Sequence, residues 1–322
     1  MSALVFAIPS KGRLQEQALA FLADAGLTIS QSRGTRDYAA KLSGVDNVTV
    51  ALLSAVEIAD ELNAGRVHFG ISGEDLLREH GQAAAERTLV VEKLGFGRAN
   101  VVVAVPRAWI DVARMSDLDD VAASFRTRHH RRLRIATKYV NLTRDFFAGH
   151  GIGDYRVVES LGATEGAPAA GTAEAIVDIT TTGTTLAAND LKVLDDGLIL
   201  ESQAVLAASL DAAWSDTARA AARLILERIA ARALAKRAQI IRVRLDPGVE
   251  AALPALEHTL GAKLLSKSAG GEATVVIPDA NLATAIAFLR AGGAQGTVTS
   301  ERADYIFAPE NPLFAKLQAK LA

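Results

Sequence analysis

Cysteine is absent from the 322-residue chain. That excludes disulfides, thiolate zinc sites and a cysteine nucleophile. Charge of one sign is not in excess either: 35 Lys and Arg face 37 Asp and Glu, a formal net charge of −2. With both signs mixed along the chain, no nucleic-acid partner is expected. No apolar run approaches the ~20 residues that a membrane span needs. The start, Met-Ser-Ala-Leu-Val-Phe-Ala-Ile-Pro, has no basic n-region, and Pro9 and Lys11 interrupt its apolar run. A signal peptide is therefore not expected, and the chain reads as cytoplasmic. The six histidines form no His-x-x-x-His pair with a nearby acid. A Gly-x-Ser-x-Gly elbow and a Walker A loop are also missing, so metal-ligand spacing, an elbow nucleophile and a P-loop are excluded as motifs.

Half of the residues are hydrophobic, enough for two or three folded domains. Short apolar runs alternate with longer amphipathic stretches. Residues 4–8, 48–53, 67–71, 89–94 and 101–105 read as strands, and 14–25, 56–63 and 74–80 as helices. A second set follows: helices over 118–125 and 142–149, and strands over 133–136, 157–159 and 176–179. This alternation predicts an α/β architecture with mainly parallel sheets. The basic run Arg126-Thr-Arg-His-His-Arg-Arg132 reads as a solvated helix end and loop, where positive charge is favoured.

A long alanine- and arginine-rich helix is predicted over 212–239, then a strand over 239–245 that stops at Asp246-Pro247-Gly248. Beyond it come a helix (249–260), a strand (262–266), a Gly270-Gly271 turn, a strand (273–277), a helix (281–291) and strands over 296–300 and 304–307. That order is βαββαβ, the ferredoxin-like pattern. A boundary is expected near residue 225.

Chemistry concentrates where strands give way to helices. In Asp178-Ile-Thr180-Thr181-Thr182-Gly183-Thr184-Thr185-Leu186, a strand ends in an acid, then a hydroxyl-rich glycine turn opens a helix. Backbone N–H groups, threonine hydroxyls and a pliant Gly183 suit a phosphate, and the acid suits sugar hydroxyls. Read alone, the run is also an ordinary capped turn. Lys11, Gly12 and Arg13 open the first helix after Ser10, where two cations on a glycine turn can meet a polyphosphate. Ser72 and Gly73 sit at another strand-to-helix junction, before Glu74 and Asp75, which also suit a first helical turn on dipole grounds alone. Lys93-Leu-Gly95-Phe-Gly97-Arg98 precedes a strand, and Ile135-Ala-Thr137-Lys138-Tyr139 forms a further strand-to-helix turn.

These segments together resemble ATP phosphoribosyltransferases. The stretch from Glu165 through Gly171, Ala173 and Ile176 to Asp178, Thr182, Gly183, Thr185 and Leu186 is similar to that family's signature. The Lys-Gly-Arg-Leu, Gly-Ile-Ser-Gly-Glu-Asp-Leu and Ile-Ala-Thr-Lys-Tyr runs resemble its other motifs. The resemblance covers the chain end to end. It implies two lobes of the type II periplasmic-binding-protein fold, lobe I over 1–98 and 190–224 and lobe II over 99–189. It also implies a regulatory ferredoxin-like domain over 225–322, as in the family's long form. The implied reaction joins N1 of ATP's adenine to C1 of phosphoribosyl pyrophosphate, in the first step of histidine biosynthesis, with Mg2+. Asp178 and Thr180, Thr181, Thr182, Gly183, Thr184 and Thr185 would hold phosphoribosyl pyrophosphate. Lys11, Gly12, Arg13, Ser72, Gly73, Arg98, Lys138 and Tyr139 would serve ATP, with Lys11, Arg13 and Asp178 closest to the chemistry. The resemblance further implies inhibition by L-histidine and a homodimer that builds a homohexamer. Two other readings stay open on the residues: a different phosphoribosyltransferase, and a non-catalytic ligand-binding protein of periplasmic-binding type. Base-salvage enzymes usually carry two adjacent acids before the loop, whereas Val177 precedes Asp178 here.

Overall fold

A computed structural model describes residues 3–30, 39–160, 162–268 and 271–321. The chain opens with β1 (Leu4–Pro9), α1 (Gly12–Asp24), β2 (Ile29–Ser30), β3 (Ala39–Leu42), β4 (Val48–Leu53) and α2 (Ala55–Asn63). Next come β5 (Phe69–Gly73), α3 (Glu74–Glu79), α4 (Gln82–Arg87) and β6 (Thr88–Lys93). The middle part holds β7 (Asn100–Pro106), α5 (Met115–His129), β8 (Leu133–Thr137), α6 (Val140–Gly149), β9 (Tyr155–Glu159), β10 (Ala175–Thr180), α7 (Thr184–Ala188) and β11 (Leu191–Leu200). The last part holds β12 (Ala204–Ser209), α8 (Asp216–Arg237), β13 (Ala238–Arg244), α9 (Pro247–Leu260), β14 (Lys263–Lys267), β15 (Glu272–Pro278), α10 (Leu282–Ala291), β16 (Thr299–Glu301) and α11 (Pro312–Leu321).

Two sheets make the two lobes. The first runs β2-β3-β4-β1-β5-β12-β6, the second β11-β7-β10-β8-β9. β1 lies parallel to both β4 and β5 and is buried along Phe6, Ala7 and Ile8. Strands covered on both faces read as continuous apolar runs, which is why Leu-Val-Phe-Ala-Ile shows no alternation. α2 starts with a capping box: the Ser54 amide donates to Glu57 Oε2 (2.7 Å), and the Glu57 amide to Ser54 Oγ (3.2 Å). In the second lobe, Val101, Val103, Val105, Leu133, Ile135, Phe147 and Val177 form one core with α5 and α6. Helix α5 extends to His129 and stops at a left-handed His130, so the basic run is a helix end and loop, as expected.

The polypeptide crosses from the first sheet to the second between β6 and β7 and returns between β11 and β12. The return was expected near residue 190, but β11 pairs with β7 from Leu191 to Leu200. The crossing therefore falls at residues 201–203. Asp195-Asp196-Gly197 disguised this strand, because an acidic pair before glycine reads as a turn. The structure accommodates it as a register shift between Val193 and Leu198.

The chain divides into two compact units: Met1–Phe21, Thr28–Ala221 and Lys316–Ala322 in one, Leu22–Leu27 and Ala222–Ala315 in the other. The second unit carries the βαββαβ order in an antiparallel sheet, β14-β15-β13-β16. This is the ferredoxin-like arrangement. Ile241, Val243, Val275 and Ile277 pack there against Val249, Leu253 and Leu256 of α9 and Ala285 and Leu289 of α10. Its final strand is short, Thr299–Glu301, and residues 304–307, expected as a strand, have no strand pairing. Gly271 is described, whereas Gly270 of the expected turn lies outside the described residues.

Candidate active site

The loop after β10 is built by contrast. Ala175, Ile176 and Val177 are fully buried, and the strand then emerges at a half-buried Asp178. Burial raises the pKa of Asp178, and the neighbouring Glu165 carboxylate pushes the same way. The Ile179 amide, which donates to Asp178 Oδ1 at 2.8 Å, and the Lys138 ammonium oppose it. A carboxylate and a cation from separate segments thus act on Asp178 in opposite directions. Val177 precedes Asp178, so no adjacent acid pair stands here; Glu165, the first residue of the signature stretch, lies on the short 3-10 turn Thr164–Gly166.

Beyond Asp178, the Gly183 amide donates to Thr180 Oγ1 at 2.8 Å, closing a tight turn. Gly183 has φ of 76°, with no atom within 4 Å of where a Cβ would stand, so the left-handed backbone, rather than space, demands glycine there. Thr182 and Thr184 hydroxyls lie 2.8 Å apart. Thr181, Thr182, Thr184 and Thr185 are all exposed, while Leu186 anchors the loop in the core. Helix α7 spans five residues, so its macrodipole is slight. Amides and hydroxyls of the turn itself carry the anion-binding capacity.

One distant segment meets this loop, and a second meets that segment. Thr181 Oγ1 donates to the Arg98 carbonyl at 3.0 Å. One residue earlier, a Cβ on Gly97 would stand 3.2 Å from Ala204 Cβ and 3.3 Å from Leu14 Cδ1. Glycine thus lets the crossover lie against the first turn of α1, where Lys11, Gly12 and Arg13 are exposed. Arg98 and Lys138 are exposed as well. Lys11, Arg13, Arg98 and Lys138 have no salt-bridge partner among the described residues. Exposed cations without an ion-pair partner suit polyanionic ligands.

Other expected site residues are placed differently. Ser72 is fully buried, and its hydroxyl donates to the Ala55 carbonyl at 2.7 Å. Gly73 is half-buried, and a Cβ there would meet Asp75 Oδ1 at 2.3 Å. Tyr139, expected to face the cleft, is 1% exposed. Its hydroxyl donates to Asp75 Oδ2 at 2.5 Å. Burial raises the Tyr139 pKa, and the Asp75 charge and hydrogen bond add to it. Ser202 donates to Asp75 Oδ1 at 2.7 Å and accepts the Asp75 amide at 3.0 Å. Ser72 and Tyr139 thus present no free polar atom to a ligand in this arrangement. Ser202, Gln203, whose Oε1 accepts the Gly95 amide at 2.9 Å, and Glu79, whose carboxylate accepts the Asn141 amide at 2.8 Å, carried no sequence signal, except that Glu79 lies one turn after Asp75.

The family model described as HisG, ATP phosphoribosyltransferase, matches residues 54–231. An ATP phosphoribosyltransferase of Bradyrhizobium sp. (strain ORS 278) is 56% identical over 321 residues, covering 99% of this chain and 98% of its own. The chain belongs to the ATP phosphoribosyltransferase family. A family member from Afipia carboxidovorans is 57% identical over 320 residues, with 98% of each chain covered. It is thus a pentosyltransferase of histidine biosynthesis. A solved "ATP phosphoribosyl transferase (HisG:HisZ) complex from Thermotoga maritima" contains a chain that superimposes with TM-score 0.53 at 24% identity, covering 70% of this chain and 95% of that one. At that identity the match concerns the fold alone, the two α/β lobes described above. No helix among the described residues is long and apolar enough to cross a membrane.

Proposed function

We propose that this family member condenses ATP, through adenine N1, with 5-phosphoribosyl 1-pyrophosphate, giving N1-(5-phosphoribosyl)-ATP and pyrophosphate. The observation that carries the reading is the meeting of the Asp178–Gly183 turn, the Arg98 crossover and the Lys11–Arg13 helix start. Asp178, with Glu165 beside it, accepts hydrogen bonds from the ribose hydroxyls. Thr180, Thr181, Thr182, Gly183, Thr184 and Thr185 receive the 5-phosphate. Lys138, expected to serve ATP, is assigned here to phosphoribosyl pyrophosphate instead, because its charge acts on Asp178. Lys11, Gly12, Arg13 and Arg98 meet phosphates of ATP or the departing pyrophosphate.

Adenine N1 has a lone pair and no proton, so the attack requires no dedicated general base. The barrier lies in the departing pyrophosphate and the cation-like sugar, and the protein contributes by holding two anions in line. Mg2+ fits the donor chemistry here, because Asp178 and Glu165 are oxygen donors. Among the described residues no group of three or more His, Cys, Asp or Glu gathers as a metal site. The ion would be held chiefly by substrate phosphates, with these carboxylates at hand, and would neutralise pyrophosphate charge.

The ferredoxin-like unit is the proposed seat of inhibition by L-histidine, in a self-sufficient enzyme that assembles as homodimers and a homohexamer in the cytoplasm. The expected extent was 225–322; the compact unit is Ala222–Ala315 with Leu22–Leu27, and Lys316–Ala322 fall in the other unit. Pyrophosphate release with ATP, phosphoribosyl pyrophosphate and Mg2+, measured with and without histidine, tests both parts. Release that needs both substrates and falls with histidine is expected. Release indifferent to histidine would remove the regulatory reading, and no release from folded protein would remove the catalytic one.

A further inference from the structure

Helix α6 is capped from the other lobe. Tyr139 occupies its N-cap position without a side-chain cap bond. The Asn141 and Leu142 amides instead donate to the Glu79 carboxylate, at 2.8 and 3.1 Å. Asn141 Nδ2 also donates to the Glu79 carbonyl at 2.8 Å. First-turn amides are usually satisfied by a residue just before the helix; here a carboxylate at the end of α3, in the first lobe, does so. One turn earlier on α3, Asp75 accepts from both Tyr139 and Ser202. Asp75 thereby joins the first lobe, the start of α6 and the returning crossover.

Between these anchors stands Lys138. The Tyr139 amide donates to Thr137 Oγ1 at 2.9 Å, and Thr143 Oγ1 donates to the Tyr139 carbonyl at 2.5 Å. Ile135, Ala136, Thr137 and Tyr139 are buried, and Lys138 alone in that stretch is exposed. β8 and β10 are parallel neighbours, pairing Ile135 with Ala175 and Ala136 with Ile176. Continued by two residues, that register brings Lys138 level with Asp178. The Lys138 ammonium also lies 4.9 Å from the Tyr139 ring centroid, so the buried ring supports it from one side.

We propose that Glu79 and Asp75 are positioning residues: by holding the start of α6 from across the lobe boundary, they set Lys138 against Asp178 for phosphoribosyl pyrophosphate. This rests on the assignment of the Asp178 loop given above. Neither carboxylate needs to touch a substrate. A ligand charge met by a fixed lysine requires no reorganisation at the moment of reaction, whereas a lysine on a loosened turn must be ordered first.

The test uses the full-length enzyme with Glu79→Ala, Glu79→Gln, Tyr139→Phe and Lys138→Met. Steady-state pyrophosphate release is measured with each substrate varied, beside Tm and amide hydrogen exchange. Glu79→Ala and Tyr139→Phe are expected to raise KM for phosphoribosyl pyrophosphate roughly tenfold or more, with KM for ATP held within about twofold. Lys138→Met should give the same selective defect with no fall in Tm. Glu79→Gln keeps an oxygen acceptor for the α6 amides and should restore most of the loss. A fall in Tm with KM for phosphoribosyl pyrophosphate unchanged would mean a merely structural contact and overturn the proposal. Equal impairment in Glu79→Gln and Glu79→Ala would overturn it too. If Glu79→Ala fails to fold, Tyr139→Phe and Lys138→Met decide: a shared defect supports the proposal, and wild-type kinetics in Tyr139→Phe overturns it. Should the wild-type enzyme release no pyrophosphate, the substrate assignment fails separately. Exchange still judges the α6 contact: faster exchange at Asn141 and Leu142 in Glu79→Ala supports it, and unchanged exchange removes it.

Discussion

Replacing Asp178 by asparagine separates charge from shape at the proposed ribose site. Asparagine keeps an oxygen to accept the Ile179 amide, now bonded at 2.8 Å. It removes a charge that burial and Glu165 both disfavour. A carboxyl whose folded pKa is raised stabilises the fold below its unfolded pKa and ceases to do so as pH rises through the folded one. At neutral pH the charged form is therefore a cost, and Asp178→Asn should hold or slightly raise Tm. Binding moves the other way. A hydrogen bond to a charged acceptor contributes about 1.5–3 kcal/mol, so its loss should lower kcat/KM for phosphoribosyl pyrophosphate roughly 10- to 150-fold. The assay is pyrophosphate release at saturating ATP with the second substrate varied, beside thermal unfolding. In wild type, KM for phosphoribosyl pyrophosphate should also rise as acid protonates Asp178, earlier than for an ordinary aspartate; the variant should lack that limb. A kcat/KM within about twofold of wild type, or a loss matched by collapse of Tm, would refute the assignment.

Thr181→Val removes the hydroxyl that ties the loop to the Arg98 carbonyl; losing about 0.5–1.5 kcal/mol should lower kcat/KM for phosphoribosyl pyrophosphate ~2- to 13-fold with little change in Tm. Glu174 links the β8 and β10 starts by accepting from the Arg134 amide and guanidinium and from Arg131. Burial alone would raise its pKa, but the bonds from Arg134 and Arg131 hold it at about 2. Its contribution should be present above the usual glutamate pKa of 4.5 and be lost as pH falls toward about 2, and Glu174→Ala should cost about 1–3 kcal/mol in denaturant unfolding at neutral pH. His68 is buried; Nδ1 accepts the Val5 amide at 3.1 Å, and Nε2, 3.1 Å from the Ala213 carbonyl, is then the donor. Burial lowers its pKa from 6.5. Stability from this neutral ring should be complete above pH 6.5 and decline as pH falls below it, a slope that His68→Gln should flatten in pH-dependent unfolding.

The α/β alternation, the ferredoxin-like order and the strand-turn-helix character of the Asp178–Thr185 loop follow from local pattern. β-branched runs, Thr-Gly turns and amphipathic spacing act within a few residues, so they can be read in order along the chain. β11 escaped because Asp195-Asp196-Gly197 breaks its pattern, and only a bulge against β7 reveals it. β12, Ala-Val-Leu-Ala-Ala-Ser, is buried throughout and shows no period to read. Residues 304–307 have strand composition but do not join the sheet.

Sequence by itself determined which residue types could bind a phosphorylated sugar and where they lie, since Asp178 and its threonines form one continuous loop. Tertiary structure decided which candidates are open to a ligand. Lys11, Arg13, Arg98 and Lys138 stand in solvent, whereas Ser72 and Tyr139 are sealed by bonds to Ala55 and Asp75. It also brought Glu79 to α6 and set the Glu165 charge within electrostatic reach of Asp178. Burial and hydrogen-bond partnership depend on groups far apart in the chain, and a motif cannot specify whether a hydroxyl faces water or a buried carboxylate.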